Sequence, residues 1–179
     1  APADVRQAAN RIVDETDRIV SRLDEFLLLS RPARPRRERV DLAALLADLA
    51  QLLRPELESK RARLDLEGPP LEVSADRAQV RRLFLNLLVN ALEFIGREGT
   101  ITVRVEEGER ARVVVSDDGA GVEESIRETL FEPYVSGRPG GTGLGLAIAR
   151  RIALEHGWRI RYEPEPGGGT RMIVEVGSR

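Results

Sequence analysis

Asn86-Leu87-Leu88-Val89-Asn90-Ala91-Leu92-Glu93-Phe94 reads as a helix that carries two amides in a leucine-rich setting. The asparagines are four apart, so they share one helix face. Leu83, Leu87, Leu88 and Leu92 make the surroundings apolar. Asparagine is a middling helix former and poor core material, so amides beside a leucine stripe need partners. Two readings stand at this point. The pair are surface amides, or one amide bonding to backbone. Alternatively their oxygens face a hard cation or its waters, since magnesium prefers oxygen ligands and keeps several waters. Asp76 is the expected N-cap, and the helix is expected to run to about Ile95.

Working outward, the neighbours are strands. Residues 100–106 and 110–116 alternate strictly between apolar and polar, with a turn at Glu107-Gly108. Residues 63–67 and 71–74 also alternate. A short strand over residues 39–42 leads into a helix over residues 41–61, with Asp41 as N-cap and Pro55 as a candidate kink. A glycine-rich loop, residues 136–145, opens a helix to about Glu155 that Gly157 ends. Residues 158–163 and 170–176 form a last hairpin. This order predicts an α+β fold: a two-layer α/β sandwich of one mixed, mostly antiparallel sheet with helices on one face. It is not a Rossmann unit, because the glycine loop does not follow a strand directly.

The first part of the chain has a different period. Val5, Ile12, Ile19 and Phe26 recur every seven residues, and Ala9, Thr16 and Leu23 fill the intervening positions. One long coiled-coil-like helix is expected over residues 4–30. Its stripe packs on its own domain or joins a helical bundle across a dimer. Residues 1–31 are read as a partial dimerisation region, residues 32–39 as an Arg/Pro hinge, and residues 40–179 as the main domain. The hinge arginines are read as solvated rather than as phosphate contacts.

Composition narrows the function classes. Apolar residues make up 41% and charged residues 32%, ordinary for a globular chain, and aromatics only 4%, so the core is aliphatic. Lys+Arg of 28 against Asp+Glu of 30 argues against nucleic acid as a partner. The absence of cysteine excludes disulfides, zinc–thiolate sites and thiol catalysis. No stretch is long and apolar enough to span a bilayer, so no direct membrane contact is expected, and residues 1–10 lack the order of a secretion signal. A start at Ala1 is expected of a processed or excised fragment, whose parent can carry a membrane anchor.

Two more segments carry chemistry. Asp117-Asp118-Gly119-Ala120-Gly121 places carboxylates after a strand, followed by permissive glycines. It is either a hairpin turn or a ligand-binding turn whose ionised carboxylate accepts from an exocyclic amine such as adenine's. Gly140-Gly141-Thr142-Gly143-Leu144-Gly145 opens a helix. It is either a flexible loop or an amide cradle for polyphosphate, with Arg138 as a further contact. It lacks the Gly-Lys-Ser/Thr ending of a P-loop.

In order and content, these segments resemble the ATP-binding domain of sensor histidine kinases, within the wider group of gyrase, mismatch-repair and heat-shock chaperone ATPases. The resemblance covers most of residues 40–176. The family's Asn-Leu-Leu-x-Asn-Ala-x-Lys-Phe is matched by residues 86–94, and its Asp-x-Gly-x-Gly by Asp117, Gly119 and Gly121. The phenylalanine motif is matched by Leu130-Phe131-Glu132-Pro133-Tyr134, and the lid by residues 138–146. Residues 167–170, ending at Thr170, resemble the last glycine segment, near the adenine end. The resemblance implies ATP or ADP with Mg2+ as ligands. Asn90 is the implied magnesium ligand, Asn86 lines the phosphate side and Asp117 meets the adenine amine. Gly141, Thr142, Gly143, Leu144 and Gly145 line the phosphates, with Phe131 beside the lid.

The implied activity is that of an ATP-dependent protein-histidine kinase in a two-component phosphorelay, with a response regulator receiver domain as partner and a homodimer in the intact protein. A cytoplasmic location follows from the resemblance. Two departures matter. Glu93 stands where many members have Lys, with Arg138 as a candidate replacement. The acceptor histidine is missing: the only histidine, His156, sits at a helix end beside Gly157, and residues 4–30 resemble the second bundle helix. The chain alone is therefore expected to bind nucleotide without phosphorylating itself. Rival readings are a nucleotide-dependent interaction module, a Ser-directed protein kinase of the same superfamily, and a scaffold that binds no nucleotide. The lid glycines predict a loop that orders with nucleotide and magnesium. Cutting near Arg138 by a protease of broad specificity (the Arg138–Pro139 bond itself resists trypsin) is expected to slow several-fold when both are added, and an unchanged rate would refute it.

Overall fold

Two aspartates start two of the helices in the same way. Asp41 ends strand β1 (Glu38–Asp41), and its carboxylate accepts from the Ala44 amide at 3.1 Å to open helix α1 (Leu42–Leu52). Asp76 follows β3 (Glu72–Ala75) and accepts from the Gln79 amide at 3.1 Å to open α3 (Arg77–Phe94). Each satisfies an amide that the first helical turn leaves without a partner. The computed structural model describes residues 34–137 and 141–177, within a compact unit spanning Arg34–Arg179. The expected coiled-coil-like helix lies outside the described residues.

The remaining elements are α2 (Arg54–Lys60), β2 (Arg63–Glu67), β4 (Thr100–Glu106), β5 (Arg112–Asp117), α4 (Gly145–Glu155), β6 (Arg159–Pro164) and β7 (Thr170–Glu175). Five strands form a sheet in the order β2-β4-β5-β7-β6. Only the β2–β4 pair is parallel. The mixed, mostly antiparallel α+β sandwich is as expected. Among the described residues the sheets number two rather than one, because β1 and β3 pair with each other as an antiparallel ribbon apart from the rest. The expected helix over residues 41–61 is two helices. It breaks at Leu53, just before Pro55 takes a first-turn position in α2, where its missing N–H costs nothing.

The core lies between the large sheet and the helices. Ile101, Val103 and Val105 of β4, Val113 and Val115 of β5, and Met172 and Val174 of β7 face it. Leu83, Phe84, Leu87 and Leu88 of α3 and Ile148 and Ile152 of α4 fill it from the helix layer. Ala149 and Ala153 are fully buried, which lets α4 pack on α3. The alternation expected for β5 fails at Val114, which is buried on the opposite face beside Ile173. That face carries ion pairs between adjacent strands, including Arg104–Glu67, directly opposite in register, and Arg161–Glu175, on the diagonal.

His156 joins elements distant in sequence. It is buried, its Nδ1 lies 2.8 Å from the Ile152 carbonyl, and its Nε2 accepts from the Asp76 amide at 3.0 Å. The ring is thus the Nδ1–H tautomer, with both nitrogens occupied. Asp76 Oδ2 in turn accepts from the Arg36 amide at 2.9 Å, and the Arg37 guanidinium donates to the His156 carbonyl at 3.2 Å. Residues 36–39, expected within the hinge, are therefore held against the domain or paired in β1. His156→Ala leaves the Asp76 amide without a partner and opens space beside Trp158, whose ring centroid lies 5.2 Å away. A loss of about 2–3 kcal/mol in denaturant unfolding is expected.

Candidate functional site

Asn86 faces the start of α4. Its Nδ2 is buried and has no hydrogen-bond partner among the described residues. A Cβ added to Gly145 would stand 3.9 Å from Asn86 Cβ and Cγ, so the amide lies beside the first residue of α4. That helix begins without a side-chain cap on Leu144. Thr142 Oγ1 accepts from the Leu144 amide at 3.4 Å, a weak contact. An uncapped helix start with an unpartnered amide donor beside it favours an anion, through both free N–H groups and the helix dipole. Asn90 lies one turn further along α3, half-buried on the same face.

Asp117 marks the other end of the site. It is the last residue of β5 rather than the first after it, and it pairs in register with Ile101 and Thr170. It is buried, and its Oδ1 accepts from the Gly119 amide at 2.9 Å. Burial pushes its carboxyl up from the usual range. Hydrogen bonds from Gly119 and from the backbone and hydroxyl of Thr170 pull it back, and the neighbouring Asp118 charge pushes it up again. A buried carboxylate held this way, at the open end of a strand, is a candidate ligand contact.

Two glycines explain why the turn sits where it does. A Cβ on Gly119 would come within 2.6 Å of the Phe94 carbonyl, so the Asp-Gly turn packs directly on the C-terminal end of α3. Gly169 has φ +106, and a side chain there would run into the Asp117 carbonyl. Gly121 packs in turn against the Gly169 carbonyl, 3.2 Å from its own would-be Cβ. The asparagine helix, the aspartate turn and the last glycine segment thus converge. The alternative of a simple hairpin at Asp118-Gly119 is not what forms: the chain runs on to a 3-10 turn at Glu124–Ile126. Asp118 is committed elsewhere, with both carboxylate oxygens 2.9 Å from the Thr100 amide.

The lid begins and ends at one place. The Tyr134 amide donates to the Gly143 carbonyl at 3.0 Å, joining the phenylalanine motif to the foot of α4. Leu130 anchors that motif in the core, and Phe131 is half-buried beside it. Gly137 lies 3.6 Å from the Phe94 ring, measured from its would-be Cβ. Gly141 is half-buried and Thr142 exposed, while Leu144 is buried. Arg138 and Gly140 lie outside the described residues. Among those described, no three His, Cys, Asp or Glu side chains converge as a metal cluster. The roles of Gly99, whose would-be Cβ is 2.9 Å from both Asp118 Oδ1 and Ile95 Cβ, and of Lys60 escaped sequence reasoning. Lys60 did carry a signal, as the only lysine in the chain.

The family model of histidine kinase-, DNA gyrase B-, and HSP90-like ATPases matches residues 75–178. Sensor histidine kinase ZraS of Klebsiella oxytoca is 36% identical over 174 residues, covering 95% of this chain and 38% of the relative. The chain thus spans well under half of that protein. Among solved structures, full-length ShkA in complex with AMPPNP superposes with a TM-score of 0.87 at 27% identity, covering 97% of this chain and 39% of the other. Histidine kinase ThkA in complex with response regulator protein TrrA gives a TM-score of 0.78 at 26% identity, over 98% of this chain and 52% of the other.

The raised Asp117 carboxyl has a consequence for stability. The native state binds this proton more tightly than the unfolded chain does. Its contribution is therefore fully present below the unfolded carboxyl value of about 3.9 and is lost as pH rises through the higher folded value. Asp117→Asn removes the titration. Its stability relative to the parent is expected to be most favourable at pH 7 and to shrink as pH falls through that window. Parallel urea-unfolding pH profiles of the two proteins would refute this.

Proposed function

Because the chain belongs to the family of histidine kinase-, DNA gyrase B-, and HSP90-like ATPases, we propose that it is the ATP-binding, phosphoryl-donating half of a sensor histidine kinase. The observation that carries this reading is the buried, unpartnered Asn86 Nδ2 beside the uncapped start of α4. A donor buried without a partner costs about 1–3 kcal/mol, and a phosphate oxygen would remove that cost. Asp117 stands at the far end of the same site, where its carboxylate accepts from the adenine amine.

The chain's own groups then divide the work. The amides at the start of α4, in residues 141–145, hold the phosphates, and Asn86 donates to them. Phe131 packs beside the lid, Arg138 adds a charged contact, and Thr170 keeps Asp117 oriented. Asn90 would hold magnesium, which needs few protein ligands because it retains waters and binds phosphate oxygens. When bound, the ion neutralises charge on the phosphates, the main requirement of phosphoryl transfer beyond positioning.

The γ-phosphoryl passes to a histidine nitrogen that this chain does not supply, as the bond to the β-phosphate oxygen breaks and leaves ADP. His156 is not that acceptor, because it is buried and both ring nitrogens are engaged. The phosphoryl group then moves to an aspartate on a response regulator. The solved complex of ThkA with TrrA supports that class of partner. The heptad stripe of residues 5–26 supports a dimerisation role for residues 1–31 and a homodimeric parent. A cytoplasmic location is part of the same proposal. Among the described residues no helix is long and apolar enough to cross a membrane.

Calorimetric titration with an ATP analogue and magnesium is expected to give binding below 1 mM, roughly the −4 kcal/mol level. Asn90→Ala is expected to remove the magnesium dependence. Incubation with radiolabelled ATP is expected to leave His156 unlabelled. Absence of binding at millimolar nucleotide would refute the reading and favour a scaffold.

A further inference from the structure

The last turn of α3 carries no basic residue of its own. It carries Glu93, whose charge is the wrong sign for the negative end of a helix dipole. The cation comes from another element. Lys60, the final residue of α2, donates from Nζ to the Leu92 carbonyl at 2.7 Å and to the Ile95 carbonyl at 3.0 Å. These carbonyls belong to the group that an α-helix leaves without partners at its C-terminus. The Lys60 carbonyl also accepts from the Glu98 amide at 3.0 Å, and the Arg63 amide donates to the Gly99 carbonyl at 2.9 Å. The two corners α2–β2 and α3–β4 are thereby stitched together around one side chain.

That corner is the platform of the aspartate turn. The Phe94 carbonyl, between the two that Lys60 holds, is the surface against which Gly119 packs. Ile95 touches Gly99, which in turn packs on the Asp118 carboxylate. The position of Asp117 thus depends on where α3 ends. Every other basic residue in the chain is an arginine or the lone histidine. A compact ammonium with three rotatable donors suits two converging carbonyls at a helix end better than a planar guanidinium fork does.

We propose that Lys60 is a positioning residue for nucleotide selectivity: by clamping the C-terminal end of α3, it sets the place of the Asp117–Gly119 turn and so the preference for adenine over guanine. This rests on the nucleotide-binding reading above. Adenine offers an amine to the Asp117 carboxylate, whereas guanine presents a carbonyl oxygen at the same position, which the carboxylate repels. A displaced turn loses the attraction and the repulsion together. The hydrogen bonds of the Lys60 ammonium go to the Leu92 and Ile95 carbonyls rather than to Asn86 or the amides of residues 141–145, so its loss falls on base selectivity.

The test is titration of ATP and GTP, each with magnesium, into the parent chain and into Lys60→Met, Lys60→Gln and Lys60→Arg, at a temperature where each is shown by circular dichroism to be folded. A merely destabilising change lowers the folded fraction for both nucleotides alike and leaves their affinity ratio unchanged. K60M and K60Q are expected to lose about tenfold in the ATP-to-GTP ratio, the factor set by ~1.4 kcal/mol. K60R, which keeps the charge and donors but presents them as a planar fork, is expected to recover part of it. If K60M does not fold, K60Q and K60R carry the comparison. An unchanged ratio in K60M or K60Q, or a K60R ratio as low as theirs, overturns the proposal while leaving nucleotide binding intact. A parent chain that binds neither nucleotide overturns the binding reading itself, and this inference with it.

Discussion

The close packing of the Gly119 backbone on the Phe94 carbonyl is the contact on which the site depends. It brings the turn at the end of β5 against the end of α3, the helix that carries the two asparagines. Gly169 closes the same point from the other side, against the Asp117 carbonyl. None of the three backbone segments can carry a side chain there without moving the others. In a close-packed interior such a shift is not absorbed locally. The site is therefore held by backbone contacts, and its side chains are free to face a ligand.

The polar groups around this point divide into two kinds. Asp76, Asp118, His156 and Lys60 have their hydrogen-bonding capacity turned on the protein's own backbone. Each satisfies amides or carbonyls that helix and strand ends leave exposed, so each secures a junction between elements. Asn86 and Asp117 differ. One has a buried donor with no partner among the described residues, and the other is a carboxylate pushed up by burial. Both arrangements are unfavourable in the isolated protein, and under the proposed function a nucleotide relieves both. Local stability is thus traded for readiness to bind, as is usual where function and folding compete.

Much of this was legible from residue order. The caps at Asp41 and Asp76, the helix of Asn86 and Asn90, the strands on either side of Glu107-Gly108 and the glycine-led α4 all follow from local chemistry. Side-chain capping, period and turn residues act over a few positions, and the structure agrees to within a residue or two. Apart from the helix break at Leu53, which follows locally from Pro55, the misreadings have a common origin. The β1–β3 ribbon, the burial of Val114 beside Ile173, and the anchoring of residues 36–39 all depend on partners dozens of residues away. Periodicity carries no information about such partners.

The sequence by itself determined the family, most of the secondary structure and which groups are candidates to face a ligand, because motif spacing and local hydrogen bonding are encoded within short stretches. The convergence of those groups was decided by tertiary structure. Only the fold reveals that Asp118 braces Thr100 while its neighbour Asp117 lines the site, that His156 is occupied at both nitrogens, and that the single lysine holds the end of α3. Two adjacent aspartates are chemically equal in a sequence. They become different when strand direction and pleat turn one toward a buried site and the other toward a backbone amide.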